Sequence, residues 1–165
     1  MRVISPIRMK RKARLRAMEG LPRMAGLMPI EGGECNAVSA SSVVVKRGRI
    51  VCEVMVSNGL LRYSNPEVAR RLLERYPSLS HHACVNAEGR TFGCVMDHTS
   101  IAHLLEHLVI ELQTQASSNP SAVFVGTSEW VDESAGIARV EVSFFDDLQA
   151  LHALKEALDI INSLV

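Results

Sequence analysis

The sequence predicts an α+β fold in which a small, mostly antiparallel sheet packs against helices. Three observations support this class. Segments rich in β-branched residues occur in both halves of the chain, two or more helix starts carry N-cap residues, and the last segment repeats leucine and isoleucine at helical spacing. The predicted order is β(β)-α-loop-α-β-β-α, which is typical of a layer of helices on a sheet.

The first predicted β segment is Val43–Val56, which is interrupted by the polar stretch Lys46–Arg49. That interruption leaves two possibilities, a hairpin or one long strand with a bulge. A helix is predicted next, because Asn65-Pro66-Glu67 supplies an N-cap, a proline at the first position and an acid in the first turn. This helix should end near Tyr76, where a second proline follows.

A polar, glycine-containing loop is expected over Ser78–Met96, and it separates the first helix from the second. Thr99 or Ser100 should cap the second helix, which is predicted to run to about Ala116. The stretch Ser117–Pro120 then ends it, because proline cannot continue a helix.

Two strands and a helix are predicted for the C-terminal part. Residues Ala122–Val131 and Ile137–Phe145 alternate as strands do, with Asp132–Gly136 as the hairpin turn. Asp146 or Asp147 should cap the last helix. Its apolar positions recur at helical spacing and are expected in the core: Leu148, Leu151, Leu154, Leu158 and Ile161.

The charge is unevenly distributed along the 165 residues. Lysine plus arginine and aspartate plus glutamate each number 18, but residues 1–23 hold eight basic residues and one acid. The remainder carries a net charge of −7. We therefore expect residues 1–42 to form a basic arm and loop, with a short basic helix at Lys10–Met18 and a small-residue linker at Ser39–Ser42, and residues 43–165 to form the folded domain.

Several function classes are disfavoured by the sequence. Residues 24–165 carry a net negative charge, which is unlike a protein dedicated to binding nucleic acid. No run of apolar residues is long enough for a membrane span. A secretory signal is lacking, and the four cysteines form no C-x-x-C pair, so we expect a cytoplasmic protein with reduced thiols. The sequence contains neither of the glycine-rich phosphate-binding motifs G-x-x-x-x-G-K-[ST] and G-x-G-x-x-G, so no nucleotide cofactor is expected.

The most informative segment is Ile101–Gln113, which contains His103-x-x-Glu106-His107. At about 100° per residue these three residues and Glu111 fall on one side of a helix, with apolar residues on the other. Two histidines one turn apart can bind one metal ion, and a glutamate on the same side can take a proton from water. The pattern matches the inverted zincin motif. The alternative is a polar face in which the histidines pair with the two glutamates.

A zinc site also needs a third protein ligand, which leaves a fourth position open. The candidates lie in the preceding loop, and they are His81, His82, Cys84 and Cys94. A thiolate from Cys84 would give a Cys-His-His site, although an isolated cysteine is more commonly a small buried apolar residue.

These residues resemble the N-terminal domain of cyanophycin synthetase. The resemblance is carried by Tyr76-Pro-Ser-Leu-Ser-His-His-Ala-Cys84 and by His103-Leu-Leu-Glu-His-Leu-Val-Ile-Glu-Leu-Gln113. The strand Val140–Phe145 and the helix after it are also similar, so the resemblance covers roughly residues 43–165. The family's R-G-P-N segment has no clear counterpart here, and its glycine before the first helical histidine is Ala102.

The resemblance implies a function for this domain. In the synthetase it precedes an ATP-grasp domain and a Mur-ligase-like domain and is thought to hold the growing Asp–Arg polymer. The two ligase domains have no counterpart among these 165 residues, so we expect a stand-alone domain. The resemblance also implies a zinc-dependent peptidase activity, as in some members of the family. Carried over by position, Cys84, His103 and His107 would hold Zn²⁺ and Glu106 would be the general base.

Three hypotheses follow. The first is a zinc-dependent hydrolase that cleaves amide bonds of an Asp–Arg polymer or a related peptide. The second is a non-catalytic module that binds such a polymer or docks a separate ligase. The third is a structural metal or a purely structural role for the helix. An arginine-rich substrate needs acidic receptors, and the candidates are Asp146, Asp147, Glu129, Asp132 and Glu133. The competing interpretation places Asp132 and Glu133 in a turn, and Asp146 and Asp147 at a helix start. A leftover apolar edge on the last helix could support a homodimer.

Overall fold

Residues 36–57 and 59–165 are described by a computed structural model of the chain, and they form four strands and three helices. The elements are β1 (Val38–Lys46), β2 (Arg49–Val56), α1 (Pro66–Arg75), α2 (Ile101–Ala116), β3 (Gly126–Asp132), β4 (Ile137–Ser143) and α3 (Asp147–Leu164). Short 3₁₀ turns occur at Gly59–Leu61, Pro77–His81 and Phe92–Cys94. The predicted α+β class and the element order are confirmed.

All neighbouring strands are antiparallel, in the order β1-β2-β4-β3. The first β segment is a hairpin rather than one long strand, because Lys46 pairs with Arg49 across a two-residue loop. Gly48 closes this loop at a φ of +74°, a conformation that side chains rarely adopt. Alternate residues of β2 and β4 are buried, so one face of the sheet is covered by helices.

Two helices, α2 and α3, cover this buried face together. α2 contacts β3 and β4, α3 contacts β1 and β2, and α2 packs against α3. The predicted N-caps are present, since Asn65 accepts from the backbone of α1, Ser100 from α2 and Asp146 from α3. None of the described helices has the length and apolarity that a membrane crossing requires.

The core face of α3 differs from the leucine repeat that predicted it. It is centred on Ala150, Ala153 and Ala157, and small side chains there allow a close approach to α2. Leu154 and Ile161 lie on this buried face as predicted. The prediction that Leu148 is in the core is wrong: it is 74% exposed, because about 100° per residue places it almost opposite the alanines.

Strand boundaries also differ from the prediction, and β4 ends at Ser143 instead of Phe145. β3 begins at Gly126 instead of Ala122, and the preceding residues Val123 and Val125 are exposed. β1 begins at Val38, so the expected linker Ser39–Ser42 lies inside a strand. The basic arm up to residue 35 and the short helix at Lys10–Met18 lie outside the described residues.

The early start of β1 has a long-range cause. The Asn162 side chain on α3 accepts from the Val38 amide at 2.9 Å and donates to the Val38 carbonyl at 2.8 Å. Val38 is fully buried, so Asn162 satisfies two backbone groups that water cannot reach. This contact joins residues 124 positions apart and fixes the first strand to the last helix.

We predict that Asn162→Ala lowers the free energy of unfolding by about 1–3 kcal/mol, because it leaves buried backbone groups unpaired. Urea unfolding monitored by circular dichroism measures the change. Asp159→Asn is the matched control on the same helix. It removes only the exposed ion pair with Lys155 and should cost at most about 0.5 kcal/mol. Equal losses in the two variants would contradict the role given to Asn162.

Candidate metal centre

One face of α2 opens into a cleft of about 890 Å³. This face presents His103, Glu106 and His107, which recur at one-turn spacing along the helix. The other lining segments are residues 82–86 of the loop before α2 and residues 122–128 leading into β3. The cleft therefore brings the three motif residues to one place that a ligand can reach.

His103 is held by the start of its own helix. Its backbone amide donates to the Ser100 capping oxygen at 3.1 Å, and its ring Nδ1 lies 2.7 Å from Thr99 Oγ1. The ring therefore uses Nδ1 for support and keeps Nε2 for another partner. That partner is Cys84, whose Sγ lies 3.4 Å from His103 Nε2.

The loop that carries Cys84 is fixed by backbone hydrogen bonds. The Cys84 amide donates to the Arg90 carbonyl at 3.1 Å, and the Phe92 amide donates to the His82 carbonyl at 2.8 Å. Phe92 is fully buried and stacks on the His107 ring, with centroids 3.9 Å apart. The aromatic ring thus anchors the loop to α2 beside the histidines.

The structure brings Cys84, His103 and His107 together. One potential ligand atom from each lies within 4.8 Å of the other two, and this is the one such group among the residues that the structure describes. A thiolate and two imidazoles form a donor set that zinc prefers, and three protein ligands would leave the fourth position of a tetrahedral zinc for a further ligand. The other cysteine candidate, Cys94, is exposed and lies near Thr91 instead.

The two imidazoles are in the form that binds a metal. Burial lowers the pKa of His103. Burial lowers the pKa of His107 to about 3, and repulsion from His103 and His82 adds to the effect. Both rings are therefore neutral near pH 7, as ligation through a ring nitrogen requires.

Glu106 lies in the same cleft and is 5% exposed. Its Oε2 accepts a hydrogen bond from Ser128 Oγ at 2.8 Å. Burial raises the pKa of Glu106, and the Ser128 hydrogen bond opposes that shift. β3 begins close to this carboxyl group because residue 126 is glycine: a Cβ there would meet Glu106 Cγ at 2.7 Å.

Glu111 lies one turn further along α2 and is buried. Its oxygens accept from Ser78 Oγ, from Gln115 Nε2 at 2.7 Å and from His82 Nε2 at 2.8 Å. Burial acts to raise the pKa of Glu111, but the hydrogen bonds from Ser78, Gln115 and His82 outweigh it and the pKa is lowered. His82 in turn lies 3.3 Å from His107, measured between the two Nδ1 atoms.

These contacts contradict the alternative in which the histidines pair with the glutamates of their own helix. In the described residues, His103 is bonded to Thr99 and Cys84, and His107 to His82. The glutamates take their partners from other segments and from Gln115. The polar face of α2 is therefore a set of buried and half-buried groups, supported mainly by residues outside the helix, rather than a solvated surface.

The three acidic residues expected to bind an arginine-rich substrate lie elsewhere. Asp146 caps α3 by accepting from the Gln149 amide at 2.9 Å, and Asp147 is an exposed residue of the first turn. Glu129 lies on the exposed side of β3 and pairs with Arg139 at 3.0 Å. None of them lines the described cleft, so their role in binding stays a prediction that depends on a longer ligand.

The sequence did not indicate several supporting residues. Phe92, Ser128 and Gly126 come from segments whose distance from α2 is set by tertiary packing. His82 was considered only as a metal ligand, whereas the structure places it between His107 and Glu111. A hydrogen-bonding residue behind each ligating histidine is a general expectation, but no spacing rule says which residue supplies it.

We predict that His107 makes the chelator-treated protein less stable as the pH falls. Its pKa of about 3 in the folded chain lies below the ordinary 6.5, so the unfolded chain binds the extra proton. The free energy of unfolding should therefore decrease as the pH drops from 6.5 toward 3. Glu106 acts in the opposite direction, since its pKa is raised, but that contribution is common to all the variants compared.

Urea unfolding at pH 7 and pH 5 measures this dependence. His107→Gln should lose less stability between the two pH values than the unmodified chain. His152→Gln, at a ring that is 80% exposed, is the control and should keep the full dependence. The same pH dependence in His107→Gln and the unmodified chain would contradict the assignment.

Comparison with known families identifies a family match for this chain. The model of the cyanophycin synthase-like N-terminal domain matches residues 52–165. No curated protein matches the chain closely enough to be counted as a relative. The matched range includes α2, the loop before it and residues 122–128 leading into β3, which together line the cleft. The chain belongs to the cyanophycin synthase-like N-terminal domain family.

Proposed function

We propose that this chain is a zinc-dependent hydrolase that cleaves amide bonds of an Asp–Arg polymer or a related peptide. One observation supports this most directly. Cys84, His103 and His107 offer ligand atoms within 4.8 Å of one another, and the carboxylate of Glu106 lines the same cleft. The polymer enters the proposal through the family, whose name refers to its synthesis.

The residues present fit the metal. Zinc is commonly held by thiolate and imidazole ligands with one position open, and it polarises a bound water and a substrate carbonyl. His103 would bind through Nε2, because Thr99 engages its Nδ1. Cys84 would bind as the thiolate, and its Sγ is already beside that nitrogen.

Glu106 is suited to move a proton within the cleft. Its raised pKa brings the carboxyl closer to neutral pH than an exposed glutamate, which favours both taking and returning a proton. The carboxylate would take a proton from the attacking water as the C–O bond forms. It would then give that proton to the leaving amine as the C–N bond breaks. Ser128 holds Oε2 and so fixes the orientation of the group.

The second candidate is a binding module in which the same cleft holds the chain without cutting it, or docks a ligase. It is favoured by an exposed apolar rim: Val85, Val123 and Val125 line the cleft and are 104%, 73% and 63% exposed. A bound chain would cover these side chains, and that gain does not depend on a metal. The two candidates differ in what happens to the length of the polymer.

We predict that protein purified without chelator holds about one Zn²⁺ per chain and shortens Asp–Arg polymer. Chelation should stop the reaction, and added zinc should restore it. Metal analysis and the size distribution of the polymer measure these outcomes. Folded, zinc-loaded protein that binds the polymer and leaves its length unchanged would support the binding module instead.

We predict that Glu106→Gln lowers the rate of hydrolysis by about 10²–10⁴-fold, because it removes the basic oxygen. Zinc content should be retained, since Glu106 is not in the ligand group. Ser128 can still bond the substituted amide, so the fold should persist. Glu74→Gln, at an exposed residue of α1, is the control and should keep full activity. Undiminished hydrolysis by zinc-loaded Glu106→Gln would exclude the mechanism.

A further inference from the structure

A chain of three buried or half-buried side chains runs behind the candidate metal centre. Glu111 Oε2 lies 2.8 Å from His82 Nε2, and His82 Nδ1 lies 3.3 Å from His107 Nδ1. The side chains of His82 and Glu111 are 16% and 5% exposed. Water therefore has little access to these contacts, and the hydrogen-bond directions are set by the groups themselves.

The carboxylate determines the direction of the first bond. An ionised carboxylate only accepts, so His82 Nε2 must donate to Glu111. When the His82 ring carries a single proton, that proton is the one donated from Nε2, so His82 Nδ1 is an acceptor. The contact between the two Nδ1 atoms is made when His107 Nδ1 donates. This arrangement leaves Nε2 of His107 without a proton and with a free electron pair.

We propose that Glu111 and His82 are positioning residues that hold His107 as the Nδ1-protonated tautomer, so that its Nε2 is the metal-binding nitrogen. The inference rests on the metal site of the proposed function. It adds a role for two residues outside the ligand group and for the second glutamate of α2. If His82 carried two protons, its Nδ1 would donate to His107 Nδ1 instead of accepting from it. The proton of His107 would then lie on Nε2 and prevent that nitrogen from binding the metal.

The support of His103 is different in kind. Its Nδ1 lies beside Thr99 Oγ1, and a hydroxyl can either donate or accept. Thr99 therefore positions the His103 ring without imposing a tautomer. The carboxylate behind His82 does impose one, because it has no proton to give.

Glu111→Gln reverses this bias with almost no change in shape. Ser78 Oγ and Gln115 Nε2 both donate to Oε1 of Glu111, whereas His82 faces Oε2. The amide oxygen of the substituted glutamine would keep the two donors, which turns its NH₂ group toward His82. His82 Nε2 would then accept, its Nδ1 would donate to His107, and the proton of His107 would move to Nε2.

The first test is zinc affinity, measured by competition with a chromophoric chelator. We expect Glu111→Gln to weaken binding by about 10- to 100-fold, the usual effect of losing a residue that supports a metal ligand. Gln115→Ala is the matched control, because it removes another partner of Glu111 and leaves the direction of the chain intact. It should bind zinc nearly as the unmodified chain does. Unchanged affinity in Glu111→Gln, or an equal loss in the control, would overturn the proposal.

The second test reads the tautomer directly in the metal-free, unmodified chain. Long-range ¹H–¹⁵N NMR spectra of the imidazoles distinguish a proton on Nδ1 from one on Nε2. We expect the Nδ1-protonated pattern for His107, and the Nε2-protonated pattern would overturn the inference. This measurement needs neither metal nor a variant that folds. If the unmodified chain binds no zinc, the proposed function fails, while the tautomer of His107 is still decided.

Discussion

The cost of burying polar side chains on α2 is the constraint on which the rest of the structure depends. Glu106, His107 and Glu111 are each at most 5% exposed, and each needs a hydrogen-bond partner that water cannot supply. The partners come from other segments, including His82, Ser78 and Ser128. The loop before α2 and the strand after it are thereby fixed to the helix, and the cleft forms between them.

The residues of α2 that follow the two histidines also connect different parts of the structure. Three different environments contact three consecutive side chains of this helix, those of Glu111, Leu112 and Gln113. Glu111 binds the polar supports, Leu112 joins the apolar core, and Gln113 Nε2 donates to the Ser143 carbonyl of β4 at 3.2 Å. One turn of α2 thus connects the site, the core and the sheet. This explains in physical terms why a Glu-Leu-Gln sequence accompanies the ligand residues in this chain.

Local signals in the sequence were sufficient for much of the fold. Asn65 was identifiable as a helix cap, and the caps Ser100 and Asp146 were each predicted as one of two adjacent residues, because capping depends on neighbouring residues. The one-turn spacing of His103 and His107 likewise placed both in one cleft. Cys84 could be selected from four candidates only through the family resemblance, since the loop that carries it has no regular period.

What the sequence could not supply depends on contacts between distant segments. The bond between Asn162 and Val38 starts β1 earlier than composition suggested. The exposure of Leu148 reflects the choice of an alanine face for packing on α2. The partners of Glu111 belong to the same category, because a buried polar group can be paired from any segment that reaches it.

The contacts of the framework and those of the site differ in the sequence separation that they span. The pairing of β2 with β4 and the contact between Val38 and Asn162 join early and late elements of the described residues. The contacts of the site with the loop and with β3 join residues 19 to 33 positions apart, all within residues 78–128. Loop closure costs less chain entropy over these separations than over the 124 positions between Val38 and Asn162. The contacts that form the site are therefore less demanding in chain entropy than the contact that holds β1 to α3.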